Sequence, residues 1–295
     1  MNAGSKSDVR LLTDGLRFAE GPRWHLGTLW FSDFYDHAVK TVDLDGKVET
    51  KLEIAGQPSG LGWLPDGRML VVSMLDRHVL RFEQERLVVH ADLSNIATFH
   101  CNDMVVDASG RAYVGNFGFD LDTAIAERGV VDVLATHDTA NLALVQADGA
   151  ASVAATDMHF PNGAVITPDG STLIIAETLN GCLTAFDIGD DGSLSNRRVW
   201  AELPGRAPDG ICLDAEGAVW FANAVGNECV RVGRGGNVLQ VVETDQPCFA
   251  CMLGGPEGRN LFMLTALESH HDAASTHREG HILVTEVAVP HAGRP

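Results

Sequence analysis

Residues 162–177, NGAVITPDGSTLIIAE, contain two short apolar runs joined by a turn that carries proline, aspartate and glycine. Proline restrains φ and glycine tolerates positive φ, so PDGS is typical of a tight turn between antiparallel strands. A polar residue, Asn162, stands where the first strand begins. The stretch therefore predicts a hairpin whose first strand starts with a side chain that strand formation does not require.

Five other segments share this pattern of a polar or small first residue, an apolar strand, a turn and a second apolar strand. They are EGPRWHLGTLWFSD (20–33), SGLGWLPDGRMLVVS (59–73), NDMVVDASGRAYVGN (102–116), DGICLDAEGAVWFAN (209–223) and FACMLGGPEGRNLFML (249–264). The six units recur at intervals of 39, 43, 60, 47 and 40 residues, and weaker strands follow the clear ones. Periods near forty are typical of four-stranded blades, so we predict an all-β, six-bladed β-propeller.

The prediction covers residues 1–295 as a single domain. The segment VRLLTDGLRF, residues 9–18, precedes the first unit and is expected to supply an outer strand to the last blade, which closes the ring. Helical patterning is nearly absent, apart from a possible turn near LDTAIAER, residues 121–128.

The chain carries 40 Asp and Glu against 21 Lys and Arg, a formal charge of -19. Such a surface disfavours nucleic acid and anionic membranes as partners, and it is compatible with a cation site. The first ten residues lack a signal-peptide pattern and no apolar run is long enough to span a membrane, so a soluble, cytoplasmic protein is expected. The six cysteines are expected to be reduced, and the single C-x-x-C of Cys248 and Cys251 is a weak signal for zinc.

In a propeller the first strand of every blade lines the central channel, so the first residues of the six units should meet at one mouth. We call these six the mouth residues: Glu20, Ser59, Asn102, Asn162, Asp209 and Phe249. Four of them carry side-chain oxygens, a donor set that suits Ca²⁺, Mg²⁺ or Mn²⁺ and suits structural zinc poorly. The alternative is that Asn and Asp begin strands because they bond to their own backbone, which becomes harder to sustain for four equivalent positions.

The segments EGPRW, NDMVVDASGRAYVGN, PNGAVITPDG and PDGICLDAEGAVW resemble those of the senescence marker protein/gluconolactonase family, also called regucalcin-like. The resemblance covers nearly the whole chain. It implies one divalent metal ion (Ca²⁺, or Mg²⁺, Mn²⁺ or Zn²⁺) held by Glu20, Asn162 and Asp209, with Asn102 as a fourth ligand or a substrate contact. It also implies that Asp209 is the general acid/base and that Asp103 lies behind the ligands or binds substrate.

The function that this resemblance implies is metal-dependent hydrolysis of a small, neutral, sugar-derived or hydroxy-acid lactone. The oxygen set also resembles that of calcium-dependent diisopropylfluorophosphatase, so hydrolysis of a phosphoester, a phosphofluoridate or another ester is an alternative. A calcium-binding propeller without catalytic activity is a further alternative. The G-x-S-x-G, P-loop and G-x-G-x-x-G templates are absent from the sequence.

Two features depart from the family pattern. His100 stands where gluconolactonase-type members commonly have an arginine that contacts sugar hydroxyls, so it is a candidate substrate contact or base, or simply a histidine packed beside the channel. The third unit is about twenty residues too long, and the excess, about 117–140, is expected to form a lid or an ordinary surface insertion. Phe117, Phe119 and Asp120 at its start are candidates for shaping the pocket.

Histidines outside these features allow two readings each. The loop LESHHDAASTHREG carries His270, His271 and His277, which could trap a transition metal or could be merely polar and flexible. His159 precedes the fourth unit and could face the pocket or lie on the surface.

Overall fold

Residues 8–293 are described by a computed structural model, which contains six four-stranded antiparallel sheets arranged as the blades of a propeller. The predicted fold class is therefore confirmed. Residues 1–7, which carry most of the segment used to judge a targeting signal, lie outside the described residues. In the described part of the chain, every helix is too short or too polar to cross a bilayer.

The first three blades follow the sequence order of their strands, from the channel outward. Blade 1 comprises β2 (Ala19–His25), β3 (Thr28–Asp33), β4 (Ala38–Val42) and β5 (Val48–Glu53). Blade 2 comprises β6 (Pro58–Trp63), β7 (Met69–Ser73), β8 (His78–Glu83) and β9 (Arg86–Asp92). Blade 3 comprises β10 (Cys101–Val106), β11 (Ala112–Asn116), β12 (Ala140–Val145) and β13 (Ala151–Met158).

The last three blades include the one that closes the ring. Blade 4 comprises β14 (Pro161–Ile166), β15 (Thr172–Glu177), β16 (Cys182–Ile188) and β17 (Leu194–Glu202). Blade 5 comprises β18 (Pro208–Leu213), β19 (Val219–Asn223), β20 (Glu228–Val232) and β21 (Val238–Glu243). Blade 6 comprises β22 (Cys248–Gly254), β23 (Asn260–Thr265), β24 (Gly280–Glu286) and the N-terminal β1 (Arg10–Leu16).

The pairing of β1 with β24 is antiparallel, with Arg10 opposite Val284 and Leu16 opposite Gly280. The prediction that the N-terminal segment completes the last blade is thus confirmed. This pairing joins the two ends of the described chain in one sheet and leaves no blade of three strands.

The inner strands of neighbouring blades contact one another around the whole ring. Small residues make this approach possible: a Cβ on Gly60 would lie 2.3 Å from the Met104 backbone nitrogen. A Cβ on Gly163 would likewise lie 2.6 Å from the Asp209 carbonyl oxygen. The glycine after a mouth residue therefore allows the ring to be narrow.

The predicted tight turns are also confirmed. Gly67, Gly110, Gly170 and Gly217 have positive φ, and the amide of each donates to the carbonyl three residues earlier. This geometry is available to glycine at little cost. The turns set the register of the inner hairpins and so fix where each inner strand begins.

Two helices occupy the long segment between β11 and β12: α1 (Leu121–Arg128) and α2 (Val130–Thr136). The sequence LDTAIAER, interpreted as a possible turn, is a complete helix. A short third helix, α3 (His271–Ala274), lies between β23 and β24. Both segments leave the sheet where the second strand of a blade ends, beside the beginning of its inner strand.

Candidate functional site at the channel mouth

Each mouth residue is the second residue of its inner strand, and all six are buried. The pairing of every inner strand with its neighbour shifts register at the mouth residue or directly after it. Such irregularities bend a strand and change the direction of its side chains. The repeated irregularity places six equivalent side chains at the same level of the ring.

The amides of Asn102 and Asn162 belong to a chain of hydrogen bonds that crosses four blades. Ser59 Oγ donates to Asn102 Oδ1 at 3.1 Å, and Asn102 Nδ2 donates to Asn162 Oδ1 at 2.9 Å. Asn162 Nδ2 then donates to Thr178 Oγ1 at 3.1 Å, and this hydroxyl donates to the Pro208 carbonyl at 2.8 Å. The chain fixes both amides, and each amide oxygen keeps a second lone pair for another partner.

The carboxylates of Glu20 and Asp209 are close enough to affect each other's ionisation. Burial raises the pKa of Glu20 well above its usual value, and the charge on Asp209 raises it further. Burial also raises the pKa of Asp209, and the charge on Asp103 adds to this effect. Two buried carboxyl groups that resist ionisation together form a place where a cation would be strongly favoured.

Arg23 and Asp103 form an ion pair across the channel, between blade 1 and blade 3. Arg23 Nη2 donates to Asp103 Oδ1 at 2.8 Å, and both side chains are almost wholly buried. The same guanidinium donates to the carbonyls of Pro22 and Met104. Sequence analysis did not single out Arg23, although a cation inside an apolar inner strand was a signal. The pair holds Asp103 next to the mouth, and a substrate contact by Asp103 stays a prediction.

We expect Arg23→Met to lower the free energy of unfolding by about 3–5 kcal/mol, because it leaves the buried Asp103 carboxylate without its partner. Urea unfolding measures this change. Arg68→Met is the matched control, since Arg68 pairs with Asp66 at the surface and should contribute less than about 1 kcal/mol. An equal effect of the two substitutions would contradict a special role for the buried pair.

The donors fit a hard divalent cation better than a transition metal. Across residues 8–293, no three His, Cys, Asp or Glu side chains are placed to hold a metal ion together. A cation at the mouth would therefore depend on Glu20 and Asp209 together with the amide oxygens, an oxygen-only set. The two buried carboxyl groups supply the negative charge that such a cation needs.

His100 lies half-buried two residues before Asn102, with its ring stacked on Phe99 at 4.0 Å between centroids. Burial lowers the pKa of His100, which favours the neutral form of its ring. Its backbone carbonyl accepts a hydrogen bond from Phe117 at 3.0 Å. The structure places His100 between the mouth and the long segment of blade 3, and its role toward a substrate stays a prediction.

Asp120 has a structural role in this segment. Its carboxylate caps α1 by accepting from the Thr123 amide at 3.0 Å, and the side chain is exposed. Phe119 packs near His137, with 6.0 Å between the ring centroids. His137 Nε2 in turn lies 2.8 Å from Nδ1 of His159, which joins this segment to the connection before blade 4. Substrate contacts by Phe119 and Asp120 stay predictions.

The segments of blades 3 and 6, which are opposite each other in the ring, meet above the mouth. His270 Nδ1 lies 3.3 Å from Asp122 Oδ1 at the start of α1. Tyr35 of blade 1 donates to the Ser269 carbonyl at 2.8 Å. His271 contacts Asp272 and His277 contacts Thr276, so these histidines do not form one site in the described structure.

All six cysteines are free and buried in the described structure. Cys248 begins β22 and Cys251 lies in its middle, and both pack within an apolar cluster that spans blades 5, 6 and 1. The C-x-x-C pattern thus belongs to the core and not to a candidate metal site.

The chain belongs to the SMP-30/gluconolactonase/LRE-like family, whose profile matches residues 18–267. The predicted family is confirmed.

Comparisons with individual proteins agree with this assignment. The chain is 26% identical over 291 residues to the 6-deoxy-6-sulfogluconolactonase of Pseudomonas putida, covering 94% of this chain and 93% of that protein. It is 26% identical over 276 residues to a pentonolactonase of Haloferax volcanii, covering 88% and 84%. The crystal structure of regucalcin from Agrobacterium tumefaciens, described as a calcium-binding protein, superposes with a TM-score of 0.79 at 20% identity, covering 98% and 97%.

Proposed function

We propose that the protein is a hydrolase that opens a small lactone at the channel mouth with the help of one divalent cation. The observation that carries this proposal is the convergence of Glu20, Asp209 and the amides of Asn102 and Asn162 from four blades. The lactonase names of two relatives that align with most of the chain support it. No observation favours phosphoester hydrolysis or a purely calcium-binding role.

The residues proposed to hold the cation are Glu20, Asn162 and Asp209, with Asn102 directed at the cation or the substrate. A bound divalent cation would polarise the lactone carbonyl and stabilise the negative charge that develops on its oxygen. The hydrogen bonds from Ser59 and to Thr178 keep the amide side chains fixed while the substrate binds.

In this proposal Asp209 handles the proton. Water attacks the carbonyl carbon and the bond from that carbon to the ring oxygen breaks. The carboxylate of Asp209 takes the proton from the water and gives it to the ring oxygen, which leaves as a hydroxyl group. The product is an open-chain hydroxy acid, whose ionisation releases one proton to the solvent.

Acid release from a panel of lactones tests the proposal directly. Protein treated with a chelator should be inactive, and activity should return with one of Ca²⁺, Mg²⁺, Mn²⁺ or Zn²⁺. The panel should include aldonolactones and simple γ-lactones. The absence of turnover with every cation and every lactone would sink the proposed function.

A further inference from the structure

Two phenylalanine rings from neighbouring blades stack beside the mouth. Phe117 directly follows β11 of blade 3, and Phe160 directly precedes β14 of blade 4. Their ring centroids are 4.4 Å apart and the ring planes differ by 29°. We call Phe117 and Phe160 the aromatic pair.

The aromatic pair is tied to the amide half of the site through the backbone on both sides. The Phe160 carbonyl accepts from the amide of Thr178, whose hydroxyl is the partner of Asn162. The Phe117 amide donates to the carbonyl of His100, two residues before Asn102. The backbone of each phenylalanine is therefore anchored close to the strand segment that carries one of the two amides, which brings the aromatic pair to the amide side of the mouth.

Phe160 adopts a backbone conformation that is unusual for its residue type. Its φ is +56°, in the left-handed region, and the next residue is Pro161. Large side chains rarely occupy this region, where glycine or asparagine fits at lower cost, and such positions cluster at functional sites. A large aromatic ring therefore occupies a backbone position where glycine or asparagine would be less strained.

The overlying segment of blade 3, residues 117–140, has more acidic than basic side chains. Arg23 is neutralised by its pairing with Asp103, whereas Arg77 keeps its positive charge and donates to the carbonyls of Ser94 and Ala97. The overlying segment carries exposed Asp120, and the whole chain has a formal charge of -19. The net negative charge of this segment and of the chain would therefore disfavour an anionic substituent.

We infer that the substrate is a lactone with an uncharged alkyl or aryl substituent that packs on the aromatic pair, an inference that rests on the proposed function. The partly exposed ring of Phe117, which is backed by the buried ring of Phe160, supplies an apolar surface for the substituent, while the amides and the carboxylates face the ester group. The aromatic pair thus determines specificity and takes no part in bond breaking.

Three γ-butyrolactones that differ at the γ carbon test this inference: unsubstituted, γ-phenyl and γ-carboxylate. With the cation that supports activity, kcat/KM for the phenyl compound should exceed that for the unsubstituted one by about tenfold or more. The carboxylate should be the poorest substrate. Phe117→Ala should lower kcat/KM for the phenyl compound about tenfold more than for the unsubstituted lactone.

Phe82→Ala is the matched control, since Phe82 is half-buried on β8 of blade 2 and away from the mouth. It should keep the phenyl preference. Phe160→Leu provides a second test if Phe117→Ala fails to fold, as judged by thermal melting. A preference for the carboxylate, or a phenyl preference that survives both substitutions of the aromatic pair, would overturn this inference and leave lactone hydrolysis intact. If neither the three γ-butyrolactones nor any aldonolactone is hydrolysed, both this inference and the proposed function are overturned.

Discussion

Asp209→Asn is expected to reduce kcat/KM for the preferred lactone by about a thousandfold or more, with the activating cation present. The substitution removes the group proposed to carry the proton, and a positioned acid/base contributes about 10²–10⁴-fold. It also removes one of two negative charges proposed to hold the cation, so the two losses should combine. Initial rates of acid release, measured over a range of cation concentrations, give this ratio.

The design of that experiment separates a specific loss from general damage. Asp187→Asn is a matched control, because Asp187 lies on β16 of blade 4 and pairs with Arg198 at the surface. It should retain activity within about twofold, since exposed ion pairs contribute little to stability. Asp209→Asn protein with near-normal activity would show that another group carries the proton.

Compared with the wild type, Glu20→Gln is expected to be at least as stable without a cation and less stable when a cation is bound. In chelator its melting temperature should equal or exceed that of the wild type, because the variant no longer buries a carboxylate beside Asp209. Glutamine keeps an oxygen that can accept from the Gly21 amide, as Glu20 Oε2 does at 2.9 Å. Excess Ca²⁺ at about a hundred times its Kd should raise the melting temperature of the wild type by about 5 °C.

The variant should gain much less from Ca²⁺, because it lacks one of the two carboxylates. Thermal melting in chelator and in Ca²⁺ gives both effects without any measurement of activity. The proposed ligand role of Glu20 fails if wild type and variant show the same gain. If the variant melts well below the wild type in chelator, burying the two carboxyl groups together does not destabilise the cation-free protein.

The fold could be predicted from the sequence because the same local pattern of polar residue, strand, turn and strand occurs six times. Each unit carries its own strand, turn and strand, and each mouth residue occupies the same phase of that unit, as Glu20 and Asp209 illustrate. The convergence of these residues follows from the symmetry of a propeller. No pairwise contact had to be known in order to predict it.

The contacts across the ring could not be predicted in this way. The Arg23–Asp103 pair and the Phe117–Phe160 stack join residues of different blades, and their geometry depends on the width of the channel and on backbone angles. The helix α1 was underestimated for another reason. The sequence makes Asp120 a candidate pocket residue, whereas in the structure it is the N-cap of α1, a position that aspartate favours.

The sharing of blade 6 by both ends of the described chain has a consequence for biosynthesis. As the chain leaves the ribosome, β1 emerges before the other described strands and can pair only after β24, the last of them, has been made. Until then the inner strand of blade 1 lacks its neighbour in blade 6, and the surroundings of Glu20 are incomplete on that side. Ring closure is therefore a late event of folding, and a cation bound between Glu20 and Asp209 would stabilise the closed ring.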